Sequence, residues 1–236
     1  MKDLFLMFNS YNIRARISAV IILIAPILLE FYLMVPEFRE LSSTIVLMII
    51  IFALCNIFII YSRILGVKAM KKCFPKIMPA QQFLLPSDNY INEKTKNRYY
   101  KFLSKKIETF NTSELDEDMV STAVTWLIAQ TRDINKFPLI AEENINFGIS
   151  YNLLGLKTFG IILSILGLLI NILIYILKIK TNLSINISYN TIFIVIFINL
   201  LFLLFWIFMV NKKLVENTGK KYGRALLSAC DSPLLN

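Results

Sequence analysis

A single carboxylate interrupts the long apolar stretches of this sequence. Glu30 lies within residues 17–35, and the three other long apolar stretches each carry an asparagine, at Asn56, Asn171 and Asn199. A carboxylate is costly in hydrocarbon and normally faces a bundle interior or a water-filled path, whereas asparagines there hydrogen-bond neighbouring helices together. These residue types favour ion passage or helix association over covalent catalysis.

The groups on which most enzymes depend are missing or scattered. The sequence contains no His, which excludes a Ser-His-Asp triad, a Cys-His pair and His metal ligands. Its three cysteines, Cys55, Cys73 and Cys230, have no spacing typical of a disulfide framework or a zinc site. We therefore expect no catalytic residue, no metal site and no cofactor.

The composition is that of a membrane protein. Of 236 residues, 56% are hydrophobic and 17% are charged, against about 45–50% and about 25% in soluble domains. A bilayer core of about 30 Å requires roughly 17–25 mainly apolar helical residues, and four stretches satisfy this: residues 17–35, 44–61, 159–177 and 192–210. The sequence predicts an all-α membrane protein with four transmembrane helices in two hairpins.

The polar groups of three predicted spans fall at one depth. At 1.5 Å per residue, Glu30 lies about 20 Å and Asn171 about 18 Å from the predicted cytoplasmic ends of their spans, and Asn199 about 10 Å from the opposite end of its own. All three lie in the outer half of the bilayer, whereas Asn56 lies in the inner half. Two interpretations remain open: Glu30 lines a path for ions, or it and the asparagines only hold helices together.

Basic residues predict the orientation. All but three of the 25 Lys and Arg lie in residues 1–16, 63–158 or 212–236, and such residues accumulate on the cytoplasmic side. The sequence thus predicts a multi-pass membrane protein with both termini cytoplasmic. Residues 1–16 form an amphipathic N-terminal segment, and residues 63–158 form a cytoplasmic domain.

Helical periodicity indicates that the cytoplasmic domain is α-helical. The C-terminal segment, residues 212–236, is expected to extend the fourth span as a helix and to pack against this domain. The predicted helices run from Ser87 or Asp88 to about Phe110, from Thr112 or Ser113 past Trp126, and from Pro138 to about Asn152.

A basic stripe follows the first of these helices at i, i+4, i+7 and i+11. With an aromatic neighbour it could bind phosphates and stack bases; alternatively it attracts anionic inner-leaflet lipid, at about 1 kcal/mol per charge. The cluster at Arg63, Lys68, Lys71 and Lys72 adjoins a span, where lipid contact is the better interpretation. The stripe comprises Lys94, Arg98, Lys101 and Lys105, with Tyr100 beside it.

Several motifs resemble those of a bacterial family, the S-4TM effectors associated with nucleotidyltransferases in anti-phage operons. Within this family, the chain is most similar in expected function to the membrane effectors of Hailong-type systems. These motifs are LLPSDNY from Leu84, TKNRYY from Thr95, WLIAQTRD from Trp126, FPLIAEENINFG from Phe137 and NLLGLK from Asn152. The resemblance implies a membrane-disrupting or ion-conducting effector, silent until infection. It also implies control by a nucleotide or a DNA or RNA oligomer made by the partner nucleotidyltransferase.

The function expected from these observations is a pore-forming antiviral effector. Four helices are just enough to pack one bundle, so a central path calls for several subunits, such as a tetramer, around an axis. The cytoplasmic domain would bind the signal and bias the pore between two states, and opening would depolarise the cell and abort infection. The alternative is a non-conducting membrane scaffold that recruits a cytoplasmic partner.

Overall fold

The computed structural model describes residues 13–39, 41–112, 115–180 and 187–235, with the side chains of residues 13, 38–39 and 41–56 outside the description. Every regular element in these ranges is helical. The α-helices are α1 (Ser18–Met34), α2 (Leu41–Cys73), α3 (Pro79–Leu84), α4 (Glu93–Lys106), α5 (Glu117–Gln130), α6 (Pro138–Lys180), α7 (Tyr189–Leu204) and α8 (Lys212–Ser228). A π-helical turn, Ile13–Ile17, precedes α1, and another, Phe205–Met209, follows α7.

Three helical stretches are long and apolar enough to cross a membrane: Arg14–Met34, Pro138–Lys180 and Tyr189–Met209. Large apolar side chains stand exposed along them, and a large exposed apolar surface is typical of a region that contacts lipid or another protein. The predicted second span, residues 44–61, lies within α2 but falls mostly among residues whose side chains are not described. It therefore stays a prediction, and so does the total of four spans. Examples of the exposed side chains are Ile162, Leu166, Leu169, Leu173, Phe193 and Phe197.

The chain divides into two compact units, and the first contains the apolar helices. It comprises the described residues up to Ala69 together with Ile149–Leu214. Its largest buried cluster joins α1 to α6 and the end of the α7 segment, and Trp206 is fully buried within it. The cluster consists of Ala19, Val20, Leu23, Leu153, Leu156, Trp206 and Val210.

Small residues let α6 approach its neighbours closely in this unit, as the spacing of Gly160, Ser164 and Gly167 suggests for a membrane helix. A Cβ atom at Gly160 would overlap the Trp206 indole, and one at Gly167 would overlap the Asn199 amide. The Ser164 hydroxyl is fully buried and donates to the Gly160 carbonyl at 2.8 Å. This face of α6 is therefore shaped to hold the segment that begins with α7.

The second unit contains α3, α4, α5 and α8. It comprises Met70–Gly148 and the described residues from Val215 onward. The expected packing of the C-terminal segment on the helical domain is confirmed, because Leu226, Leu227 and Cys230 share one buried cluster with Leu103 of α4 and Val120 of α5. The prediction assigned residues 63–69 and 149–158 to the cytoplasmic domain, whereas the structure places them in the first unit.

Two predicted helix starts are wrong by several residues, because other side chains cap the helices. Asn92 accepts the Thr95 N–H at 2.8 Å and starts α4, whereas Asp88 accepts the Tyr90 N–H in the preceding turn. Asp116 accepts the Met119 N–H at 2.7 Å and starts α5. The first turn of α5 contains Glu117 and Asp118, which are favourable at the positive end of the helix dipole.

Two other boundaries also differ from the prediction. The helix expected from Pro138 to Asn152 and the third span form one helix, α6. By contrast, the C-terminal helix does not extend the fourth span directly: Val210 is extended, and Asn211 accepts the Leu214 N–H at 3.0 Å at the start of α8. The chain therefore has a break between α7 and α8 that hydropathy alone does not reveal.

Candidate functional site

Three polar side chains meet inside the first unit. The Glu30 carboxylate of α1 accepts a hydrogen bond from Asn171 Nδ2 of α6 at 2.7 Å through Oε1, and another from Asn199 Nδ2 of α7 at 3.3 Å through Oε2. Both carboxylate oxygens thus have a donor from a different helix. The three side chains therefore meet, while their depth in a bilayer and their part in ion passage stay predictions.

The two asparagines are held rigidly by their own helices. Asn171 Nδ2 also donates to the Gly167 carbonyl at 2.7 Å, and Asn199 Nδ2 to the Val195 carbonyl at 3.1 Å. Their exposed fractions are 0% and 2%, while Glu30 is only partly buried. The amides therefore form a fixed cradle, and the carboxylate is the member of the cluster that other molecules can approach.

One acceptor of the cluster remains without a hydrogen bond among the described residues. Asn171 Oδ1 is fully buried, yet no donor reaches it there. Buried polar atoms are nearly always satisfied, so this oxygen gives the cluster capacity for one further donor or for a cation. The fourth predicted residue, Asn56, lies in α2 but outside the residues whose side chains are described.

The basic stripe lies on the solvent side of α4. Lys94, Lys101 and Lys105 are exposed, and none of them forms an ion pair within the described ranges. Arg98 differs, because it donates through Nε and Nη2 to both oxygens of Asp231, at 3.2 and 2.9 Å. The hydrogen bond to Asp231 raises the pKa of the guanidinium, which keeps its charge in any case.

Tyr100 does not complete the stripe. It lies on another face of α4, where its hydroxyl donates to the Leu84 carbonyl at 2.5 Å, and burial raises its pKa to about 12. Its ring is half-buried, so it is not available beside the lysines for stacking on a base. The spacing of the lysines was a sound guide to their exposure, but it did not reveal the tertiary partner of this tyrosine.

Sequence reasoning missed the buried position of Lys96. Lys96 is only 5% exposed, and burial lowers the pKa of its ammonium. The ammonium donates to the carbonyls of Leu85 at 2.8 Å and Asp88 at 2.5 Å. Lys96 and Tyr100 line a cleft of ≈510 Å³ in the second unit. Their i, i+4 spacing was the available signal, because such residues share one helix face.

Lys157 is a second residue whose role the sequence did not reveal. Its ammonium donates to the carbonyls of Ile207 at 3.0 Å and Val210 at 2.7 Å, where the π-helical turn after α7 ends. A helix end leaves carbonyls without intrahelical donors, and a nearby lysine can satisfy them. Lys157 therefore secures the end of the last apolar segment to α6.

Within the described ranges, no group of three His, Cys, Asp or Glu side chains could hold a metal ion. Comparison of the chain with protein-family profiles, with curated proteins and with solved structures found no match.

Proposed function

We propose that this protein is the membrane effector of a bacterial anti-phage system, and that it assembles as a homo-oligomer into an ion-conducting or membrane-disrupting pore. It would span the inner membrane four times with both termini in the cytoplasm. A nucleotide or oligonucleotide signal, bound on the second unit, would control the pore. Opening would depolarise the infected cell and abort infection.

The observation that carries the conducting function is the environment of Glu30. A carboxylate inside membrane-spanning helices normally marks an ion path or pairs with a cation. Here its described partners are two neutral amides from α6 and α7. They orient the carboxylate without cancelling its charge, and Glu30 retains some exposure. Repeated around a symmetry axis, such a group would form a negative ring that favours cations.

Control by a ligand is supported by the exposure of the stripe residues and by the weakness of the one ion pair that they form among the described residues. Lys94, Lys101 and Lys105 are exposed. The Arg98–Asp231 pair is also exposed, with side-chain fractions of 60% and 41%, and an ion pair of this kind contributes only about 0–1 kcal/mol. An incoming phosphate can therefore displace Asp231 from Arg98 at low cost. Binding at the stripe would thus be communicated to the C-terminal segment that carries Asp231.

The defence context comes from the motif resemblance alone. The motifs from Leu84 to Lys157 resemble S-4TM effectors, whose partner nucleotidyltransferases make the controlling signal. In this proposal the ligand is a product of such a neighbouring enzyme. Whether the ligand opens the pore or holds it closed is decided by the sign of the current change on its addition.

The conduction test is a comparison of planar-bilayer currents for wild type, Glu30→Gln and Glu37→Gln. Glutamine keeps the size of Glu30 and one acceptor oxygen, so assembly should persist while cation preference falls and the reversal potential in a salt gradient moves toward zero. Glu37 is the matched control, an exposed carboxylate in the turn Pro36–Arg39. Identical currents and reversal potentials in all three proteins would remove Glu30 from the path.

The ligand test uses charge reversal on one helix face. Replacing Lys94, Lys101 and Lys105 by Glu should abolish binding of a short oligonucleotide to the detergent-solubilised protein. Wild-type affinity should fall steeply with salt as counterions are released. The exposed pair Lys220 and Lys221 of α8, changed to Glu, is the control and should bind normally. Unchanged oligonucleotide binding by the stripe variant would favour the alternative interpretation, in which the stripe contacts anionic lipid.

A non-conducting scaffold remains the competing function. It requires the membrane helices and a cytoplasmic binding surface, but it gives no reason for a partly exposed carboxylate in the spanning unit. Absence of current with and without ligand, together with normal assembly in size-exclusion chromatography, would favour it.

A further inference from the structure

A groove in the first unit gathers three basic side chains from two separate parts of the chain. Arg16 comes from the turn before α1, and Arg63 and Lys68 come from α2. The groove has a volume of ≈590 Å³, and the rest of its lining is aliphatic. The aliphatic residues are Ile59, Ile60, Ile64 and Val67.

The charge of this groove is uncompensated within the part of the chain that the structure describes. No acidic side chain lines it, and none of its three cations belongs to an ion pair formed by the described residues. Like charges around one groove repel each other. An anion between them would relieve this repulsion, and the forked guanidinium groups of Arg16 and Arg63 match the paired oxygens of a phosphate.

The aliphatic lining of the groove favours a phosphate that belongs to a lipid over a free phosphate ion. A free phosphate gains nothing from four aliphatic side chains, whereas a phospholipid presents a phosphate with acyl chains attached. Exposed isoleucines at positions 60 and 64 stand beside the basic residues, at the end of the spans that the positive-inside rule assigns to the cytoplasm. Basic pockets between membrane helices on that side typically hold anionic headgroups.

We propose that this groove is a binding site for one anionic phospholipid. Arg16, Arg63 and Lys68 bind the headgroup phosphate, and an acyl chain lies against the isoleucines. The lipid joins the turn before α1 to the C-terminal half of α2. This site is separate from the Glu30 cluster and from the basic stripe, so it stands or falls independently of the proposed pore.

The test is native mass spectrometry of the detergent-solubilised protein titrated with phosphatidylglycerol or phosphatidylcholine. Wild type should bind phosphatidylglycerol at least about tenfold more tightly. Arg16→Gln combined with Arg63→Gln should weaken that binding about 30-fold, since each charge near the surface contributes about fivefold. Lys71→Gln combined with Lys72→Gln removes the same charge from α2 outside the groove and should leave the affinity within about twofold.

The controls separate the groove from diffuse attraction and from free phosphate. An equal loss in the two double variants, or no loss in the first, would overturn the site. Displacement of the lipid by millimolar inorganic phosphate would overturn the phospholipid as its occupant. If the first double variant does not stay monodisperse, Lys68→Gln alone should weaken binding about fivefold, and an unchanged affinity would then count against the groove.

Discussion

The Glu30 cluster allows a quantitative test by double-mutant cycles. We change Glu30, Asn171 and Asn199 to Ala singly, and Glu30 together with each asparagine. Each asparagine also donates to a carbonyl of its own helix, so a single substitution removes more than the contact of interest. The cycle cancels those additional losses and isolates the coupling between the two side chains.

The geometry predicts unequal coupling energies. Hydrogen bonds between membrane helices couple by about 0.6 kcal/mol on average and by about 1.7 at most. The Asn171 bond is 2.7 Å long and comes from a fully buried amide, whereas the Asn199 bond is 3.3 Å long. Because bonds to carboxylates strengthen as they shorten, we expect about 1.5 kcal/mol for Glu30–Asn171 and about 0.5 kcal/mol for Glu30–Asn199.

The assay is reversible unfolding in mixed micelles of increasing SDS content, followed by the helical circular dichroism signal. A control cycle pairs Asn171 with Glu37, which is exposed in the turn Pro36–Arg39. This control coupling should lie within the roughly 0.3–0.5 kcal/mol of ordinary additivity. A Glu30–Asn171 coupling inside that margin, or a larger coupling to Asn199, would refute the cradle as described.

Two further predictions concern groups that the sequence left unassigned. Lys157→Met should lower the free energy of unfolding by about 1–3 kcal/mol, because the buried Val210 carbonyl loses its donor. In the same SDS titration, Lys157→Arg should recover part of this loss. A Met variant as stable as the wild type would contradict the role of Lys157 as a cap. With the other two cysteines replaced by serine, Cys230 should resist maleimide at pH 8 until the protein is denatured, since burial raises its pKa to about 12 and only the thiolate reacts. Rapid labelling of the native protein would contradict that burial.

The cluster at Glu30 was predictable because the rise per residue of an α-helix is constant. Once the spans and their directions are assigned, a rise of 1.5 Å per residue places Glu30, Asn171 and Asn199 at one depth. The direction of each side chain around its helix still had to be found. Gly167 supplied part of that information, because a residue without a side chain lets the Asn199 amide approach α6.

Helix boundaries were less predictable because several residues compete for the same role. Ser87, Asp88 and Asn92 are all good N-caps, but only Asn92 starts α4, since Asp88 accepts the Tyr90 N–H and a bond from Gln82. The continuity of α6 beyond Asn152 was not predicted either. Gly155 lies within the helix, where a Cβ atom would meet the backbone of Leu65 and Gly66.

Long polar side chains were the hardest to place. On the surface of α4, Lys94 and Lys96 differ by only two positions, yet one is exposed and the other is enclosed by the carbonyls of Leu85 and Asp88. Arg98 likewise meets Asp231 from the distant C-terminal segment. Such partners are fixed by tertiary structure: an i, i+4 spacing indicates which residues share a helix face, but it does not identify the distant groups that they contact.

The identity of the groups around Glu30 bears most directly on function. A lysine in place of Asn171 would satisfy the carboxylate equally well, but the pair would be neutral, and a neutral pair attracts no ion. Two amides instead fix its position through hydrogen bonds to both oxygens and leave the full charge of the ionised form. A purely structural junction would gain the stronger hydrogen bonds of a charged acceptor, but it would also incur the desolvation cost of that charge. This cost is the physical reason for our proposal that Glu30 lines an ion path.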